Sequence, residues 1–155
     1  MALEIERRFL IKNDNWKKFI TRKNFIEQGY LSKSFDDWIV RIRFTGKDYK
    51  IALKKHIESF TNFEFEYSIP RNDGETIMSN LSNTIKKERF YVEIEKKSWI
   101  IDCFKENNYP LEIAEIELSR EEENLSLPSF LSEEITGLTH YSNFSLANKP
   151  FSEWK

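Results

Sequence analysis

The sequence is poor in the residues that bridge or break a chain, with one cysteine, four glycines and four prolines in 155 residues. A lone thiol excludes an internal disulfide. Placed in the apolar run Trp99-Ile100-Ile101-Asp102-Cys103-Phe104, it reads as a small packing residue in a reducing, cytoplasmic setting. So few glycines and prolines argue against a loop-dominated chain. Two histidines are too few for a histidine-built metal centre. No apolar run approaches the roughly 18 residues that a membrane span needs. Glu4, Glu6, Arg7 and Arg8 stand where a signal peptide would carry its apolar segment. A dominant charge is lacking as well: 24 basic and 26 acidic side chains leave a net −2. With no basic tail or helix stripe, extended nucleic-acid binding is disfavoured.

What is present is alternation. Hydrophobic residues at 39% and charged residues at 32% describe one globular domain, 1–155, long enough to close a core. Strand patterns run at 3–11, 38–45, 48–55, 62–69, 85–95, 98–104 and 111–119, with a weaker one at 26–33. Gly46-Lys47 reads as a hairpin turn. Helical patches are short. Trp16, Phe19 and Ile20 follow a possible Asn13 or Asp14 cap, and Ile77 and Leu81 follow Asp73-Gly74. Pro128 opens a patch through Phe130 and Leu131, and a last helix is expected over about 139–147. About eight strands with appended helices predict an α+β domain on an antiparallel sheet or barrel.

The charges carry the chemistry, because residues two apart on a strand share a face. Glu4, Glu6 and Arg8 share one. So do Arg41 with Arg43, Lys50 with Lys54, Glu64 with Glu66, Lys87 with Arg89, and Glu115 with Glu117. An ordinary sheet with one wet face explains any one strand. It does not explain why charge is sorted by strand, or why the opposite faces are heavily aromatic and aliphatic. If the sheet closes on itself, the charged faces line a polar tunnel. Two like charges about 4 Å apart cost about 4 kcal/mol at an effective dielectric near 20. The carboxylates then call for a hard divalent cation, and the cations for an anion larger than one carboxylate. A polyphosphate chain with its metal answers both, arginine supplying forked contacts and lysine point charge.

The same residues resemble the CYTH, or triphosphate tunnel, family. Glu4-Ile5-Glu6-Arg7-Arg8-Phe9 resembles its ExExK signature. The likeness continues in Gln28-Gly29-Tyr30, Arg41-Ile42-Arg43, Ile51-Ala52-Leu53-Lys54, Phe63-Glu64-Phe65-Glu66-Tyr67 and Lys87-Glu88-Arg89-Phe90. It closes with Trp99-Ile100-Ile101-Asp102, Ala114-Glu115-Ile116-Glu117-Leu118 and Tyr141-Ser142-Asn143-Phe144-Ser145-Leu146-Ala147 with Pro150. The departure is Arg8, where the signature has lysine.

The resemblance implies an eight-stranded antiparallel β-barrel with short flanking helices. It also implies a triphosphate substrate, Mg²⁺ or Mn²⁺ as cofactor, and an activity like that of the short bacterial tripolyphosphatases. On this reading Glu4, Glu6, Glu115 and Glu117 hold the metal, while Arg8, Arg41, Arg43, Lys54 and Arg89 clamp phosphate. Glu64 and Glu66 bind a second metal or orient the clamps. Lys87 is the candidate base, with its pKa depressed by neighbouring cations, and Tyr30 positions it or the water. Asp102 matches a family position, but its direction is open. Glu88 should face outward, and His56 and His140 read as surface or packing residues. A class IV-type adenylate cyclase, a non-catalytic triphosphate-binding module, and thiamine- or RNA-triphosphate hydrolysis remain alternatives. The oligomeric state, a homodimer included, stays open.

Overall fold

The computed structural model of the protein describes residues 3–32, 34 and 37–154. The ends of the expected 1–155 domain, and position 33 of the expected strand 26–33, lie outside the described residues. Among the described residues there are nine strands: β1 (Leu3–Ile11), β2 (Ile20–Tyr30), β3 (Ile39–Phe44), β4 (Tyr49–Glu58), β5 (Thr61–Ile69), β6 (Thr84–Ile94), β7 (Lys97–Phe104), β8 (Glu112–Glu117) and β9 (Leu131–Glu134). Their order is β5-β4-β3-β2-β6-β7-β8-β1-β9, and β5 pairs again with β1, closing eight antiparallel strands into a barrel.

The closing strand is β1. One of its pairings is with β8, from Glu6↔Glu117 to Leu10↔Ile113. It also pairs with β5 over Leu3–Ile5 and with β9 at Phe9 and Ile11. The ninth strand is thus an appendage to the ring.

Alternation assigns the faces as expected. The outer face is apolar and needs cover. Phe9, Val92, Trp99, Ile101, Ala114 and Ile116 form a buried layer under Trp16, Phe130 and Leu131. A second layer, Ile42 and Tyr49, lies under Met78 of helix α1 (Arg71–Ser79). Gly74 of α1 permits that approach, since a Cβ there would stand 2.2 Å from Cγ of Tyr49. On the inner face, one stretch of the lumen is filled by Ile85, Phe104, Leu111 and Ile113, packed with Ile135 and Leu146.

Several local expectations are corrected. The Trp16 patch is a short 3-10 turn, Asn15–Phe19, and β2 starts at Ile20, well before position 26. Asp14 makes no side-chain cap bond there, while Asn13 Oδ1 accepts from the Asn15 amide at 3.0 Å. Helix α1 begins ahead of Asp73-Gly74, behind Pro70. Pro128 opens a turn into β9 instead of a helix, because the free edge of β1 beyond Ile5 offers hydrogen-bonding partners. The terminal helix is divided into a 3-10 turn, Thr139–Tyr141, and α2 (Asn143–Asn148), whose cap Ser142 accepts from the Ser145 amide. Gly46, at φ +87°, makes the expected hairpin between β3 and β4, where a left-handed residue is required.

Candidate active site

Going round the ring, β8, β1 and β5 are neighbours and carry Glu115, Glu117, Glu4, Glu6, Glu64 and Glu66. The next four strands, β4, β3, β2 and β6, carry Lys50, Lys54, Arg41, Arg43, Lys87 and Arg89, with Gln28 and Tyr30 among them. The lumen therefore has an acidic arc facing a basic arc. Arg8 on β1 and Asp102 on β7 are the two exceptions, a cation set beside Glu115 and a carboxylate set beside Lys87 and Arg89.

Asp102 is the pivot of the basic side. It is 1% exposed and accepts from Lys87 Nζ at 2.7 Å, Arg89 Nε at 2.8 Å and Arg89 Nη2 at 2.9 Å. Burial alone would raise its carboxyl, but Arg89 and Lys87 hold it well below the usual range. Lys87 is fully buried, and burial, with Arg89 and Arg43 adding to it, pulls its ammonium down to about 7 against the opposing pull of Asp102. Its second acceptor is Asn143 Oδ1 of α2, at 2.9 Å. Arg43 donates to Gln28 Oε1 at 3.0 Å, and Gln28 Nε2 donates to the Tyr30 hydroxyl at 2.8 Å. Burial brings Arg43 down to about 10, so it stays charged at neutral pH. Burial raises Tyr30 and keeps it a phenol.

Lys54 reaches away from the basic arc. Its Nζ lies 2.6 Å from Glu4, 3.7 Å from Glu6 and 4.0 Å from Glu64. Burial disfavours that ammonium, but Glu6 and Glu4 overcome it and raise its pKa. Burial, with Glu115 beside it, pushes Glu6 up to about 7 against Lys54 and Arg8. Glu4 and Glu117 also rise, chiefly by burial. Glu115 is held low by Arg8 and Arg89 despite burial, the Arg8 Nε contact being 2.8 Å. Glu66 pairs with Arg41 at 3.0 Å and Lys50 at 3.7 Å, and so orients a clamp residue in this state.

A cavity of about 310 Å³ opens into the lumen, with Glu6, Arg8, Tyr30, Arg41, Lys54 and Asn143 in its walls. Of the other expected site residues, Lys87, Arg89 and Arg43 are set back from it. Lys87 reaches it through Asn143, Arg89 through Glu115 and Arg8, and Arg43 through Gln28 and Tyr30. Two donors of the wall residues, Arg8 Nη2 and Arg41 Nε, are buried without a hydrogen-bond partner. Among the described residues no group of three or more His, Cys, Asp or Glu is arranged to hold a metal ion. Glu4, Glu6 and Glu64 converge on the Lys54 ammonium instead.

Two residues were given no role in the sequence. Gln28 is fully buried, and its place two residues from Tyr30 was the available signal. For Asn143 the signal was its place in the family-like segment 141–147, while only the docking of α2 brings it to Lys87. Glu88 faces outward to Lys23 and Lys105, as expected. His140 packs on Tyr141 and Trp154, and His56 is exposed, as expected, where it borders the cavity. Cys103 sits half-buried on the outer face beside Glu112, and burial pushes its thiol up to about 12.

No family model matches the chain. Over its whole length it is 33% identical to an inorganic triphosphatase of Acetivibrio thermocellus, the match spanning 159 positions and 99% of that protein. The crystal structure of the inorganic triphosphatase NE1496 matches with a TM-score of 0.68 at 26% identity, covering 95% of each chain. A Hippeastrum protein studied as an adenylyl cyclase, and described as having a dominant triphosphatase activity, shares the fold at TM-score 0.59 and 14% identity, over 79% of this chain and 81% of that one. Among the described residues no helix is long and apolar enough to cross a membrane.

Proposed function

Because the chain belongs to the inorganic triphosphatase family of CYTH-type tunnel proteins, we propose that it hydrolyses the terminal phosphate of inorganic triphosphate inside its barrel. One observation carries this reading: the cavity wall holds two buried guanidinium nitrogens, Arg8 Nη2 and Arg41 Nε, with no acceptor. Buried N–H groups left unpaired cost about 1–3 kcal/mol each, more when charged. Phosphate oxygens are the acceptors that fit two forked donors lining one cavity from different strands.

Arg8 fits this role better than the lysine of the family signature would suggest. Its Nε serves Glu115 and its Nη1 serves the Tyr141 carbonyl at 2.9 Å, which leaves Nη2 for the substrate. A planar fork spreads three donors in fixed directions, where an ammonium concentrates them at one point. Arg41 presents the second donor. Arg43, Arg89 and Lys54 add positive charge around the phosphate chain as charge moves onto the leaving diphosphate.

The carboxylates fit a hard divalent cation, Mg²⁺ or Mn²⁺, by their chemistry. They are oxygen donors, and even with Lys54 among them Glu6 is pushed up to about 7 and Glu4 and Glu117 are raised. Glu4, Glu6 and Glu117, with Glu115, would hold it, and when bound it neutralises phosphate charge. Lys87, which stands behind Asn143 in this state, takes a proton from the attacking water once that water replaces Asn143 as its partner, as the new P–O bond forms and the bridging P–O bond breaks. Burial pulls its ammonium down to about 7, which makes loss of a proton near neutral pH accessible. Tyr30, held as a phenol, donates to the water or a phosphate oxygen and does not act as the base.

The test is phosphate release from inorganic triphosphate, ATP, thiamine triphosphate and long polyphosphate, each with Mg²⁺ or Mn²⁺, and cyclic AMP formation from ATP. Inorganic triphosphate should be turned over fastest, and excess EDTA should abolish release. Full activity in EDTA, or binding without turnover of any of the four, overturns the proposal.

A further inference from the structure

Lys54 does not take its nearest partner. Across the β4–β5 ladder it stands directly opposite Glu64, yet its Nζ lies 4.0 Å from that carboxylate and 2.6 Å from Glu4, whose strand lies beyond β5. The side chain extends over its neighbour strand to the acids of β1, with Glu6 at 3.7 Å. One compact ammonium thus stands among three carboxylates.

We propose that Lys54 is a resident stand-in for the divalent cation, occupying the acidic arc of the substrate-free tunnel and swinging onto the phosphate chain when that cation is bound. This rests on the metal-dependent reading above and extends it to how the empty site is kept together. The argument is one of shared acceptors. Glu4 and Glu6 belong to the set that would hold the metal, and Glu4 Oε1 already receives Lys54 Nζ, with Asn62 Nδ2 at 3.4 Å. An ammonium 2.6 Å from Glu4 Oε1 competes for the lone pairs of that carboxylate and repels a divalent cation beside it, so metal binding drives Lys54 out. Its four-carbon stem lets the head move while Cα stays in the ladder. The destination is at hand, since Lys54 lines the same cavity as Arg8 and Arg41. Without an anion there, the released ammonium would join two guanidiniums with unfilled donors. Metal and triphosphate therefore reinforce one another's binding, and by linkage each raises the other's affinity by the same factor.

Substitution of Lys54 separates this exchange from a plain phosphate clamp. Mn²⁺ binding to the full chain without any anion, followed by electron paramagnetic resonance of free Mn²⁺, should be at least tenfold tighter in Lys54→Met than in wild type. Diimidotriphosphate should strengthen Mn²⁺ binding to wild type by more than it does for the variant. Equal or weaker Mn²⁺ binding by Lys54→Met without anion overturns the proposal. Should that variant not fold, the wild type decides. The Lys54 ammonium resonance in a lysine-selective NMR spectrum must move when Mg²⁺ and diimidotriphosphate are added together, and no movement at saturation overturns the exchange. Neither reading needs turnover. A protein that hydrolyses nothing but shows the exchange refutes the proposed activity alone, while an active protein without it refutes the exchange alone.

Discussion

Asp102→Asn removes one charge and almost no volume from the most buried ionic cluster in the barrel. Three contacts of 2.7–2.9 Å bring Lys87 and Arg89 onto this one carboxylate. The amide keeps one acceptor oxygen but turns an N–H₂ group toward cationic donors, so at least one of the three contacts becomes a clash of donors. Removing one partner of a buried ion pair costs about 3–5 kcal/mol, because the remaining charge stays buried uncompensated. The upper half of that range is expected here, since two cations lose their counterion and Arg43 lies near enough to depress Lys87 further. For a chain of this length 1 kcal/mol moves the midpoint of unfolding by about 2–4 °C, so a fall of roughly 8–20 °C is expected by calorimetry. The exposed pair Lys86–Glu106, at 3.1 Å, supplies the control, and Glu106→Gln should change stability by less than about 1 kcal/mol. A midpoint for Asp102→Asn within 3 °C of wild type would refute the reasoning, and with it the picture of Asp102 as the group that keeps the two cations in place.

Further outcomes follow from single residues. Arg8→Ala should slow triphosphate hydrolysis by about 10²–10³, the usual loss for one donor on developing charge, whereas Arg8→Lys should stay within about tenfold of wild type by steady-state assay. Equal rates for the three would place position 8 outside the chemistry. The rate should rise with pH through about 7, as Lys87 loses its proton, and Lys87→Arg should be slow with a shallower limb, the remainder coming from Glu6. An unchanged profile would remove Lys87 from proton transfer. Gly74→Ala, favourable by about 1 kcal/mol in an open helix, should instead destabilise by about 1–3 kcal/mol, because the new methyl would meet Tyr49 at 2.2 Å. A rise in melting temperature for Gly74→Ala would contradict the tight seating of α1.

The two-residue period located the inner face well, since Glu4, Glu6, Arg41, Arg43, Lys87, Arg89 and Glu115 all stand where alternation put them. A period is local information. It could not say that β8, β1 and β5 adjoin, so two facing arcs of opposite charge were not legible, nor was the reach of Lys54 into the acids. Partner choice depends on register, which placed Arg8 opposite Glu115 and Arg89 opposite Asp102. The start of β2 was misread for a physical reason. Trp16, Phe19 and Ile20 have helical spacing, but Trp16 packs on Phe90 at 5.2 Å as a wedge under the sheet, and the polar run after it pairs along β6. At Pro128 the decisive fact was a vacant ladder on β1, which no property of residues 128–131 reveals.

The first strand joins the ring to β5, β8 and β9, and these partners lie far along the chain, at 61–63, 113–117 and 131–134. A chain made from its N-terminus carries Glu4, Glu6 and Arg8 from the start, yet the strand that bears them has no partner on its β8 side until residue 113 has been synthesised. Each such closure spans a long loop, and contacts of that separation are slow to form. The hairpins β3–β4, β4–β5 and β6–β7 are local and can assemble early, whereas the acidic wall is completed only when the last third of the polypeptide folds back over the first ten residues. During synthesis the nascent chain therefore has much of the basic arc before it has a tunnel, and the order of assembly delays the pocket until the barrel that confines it is closed.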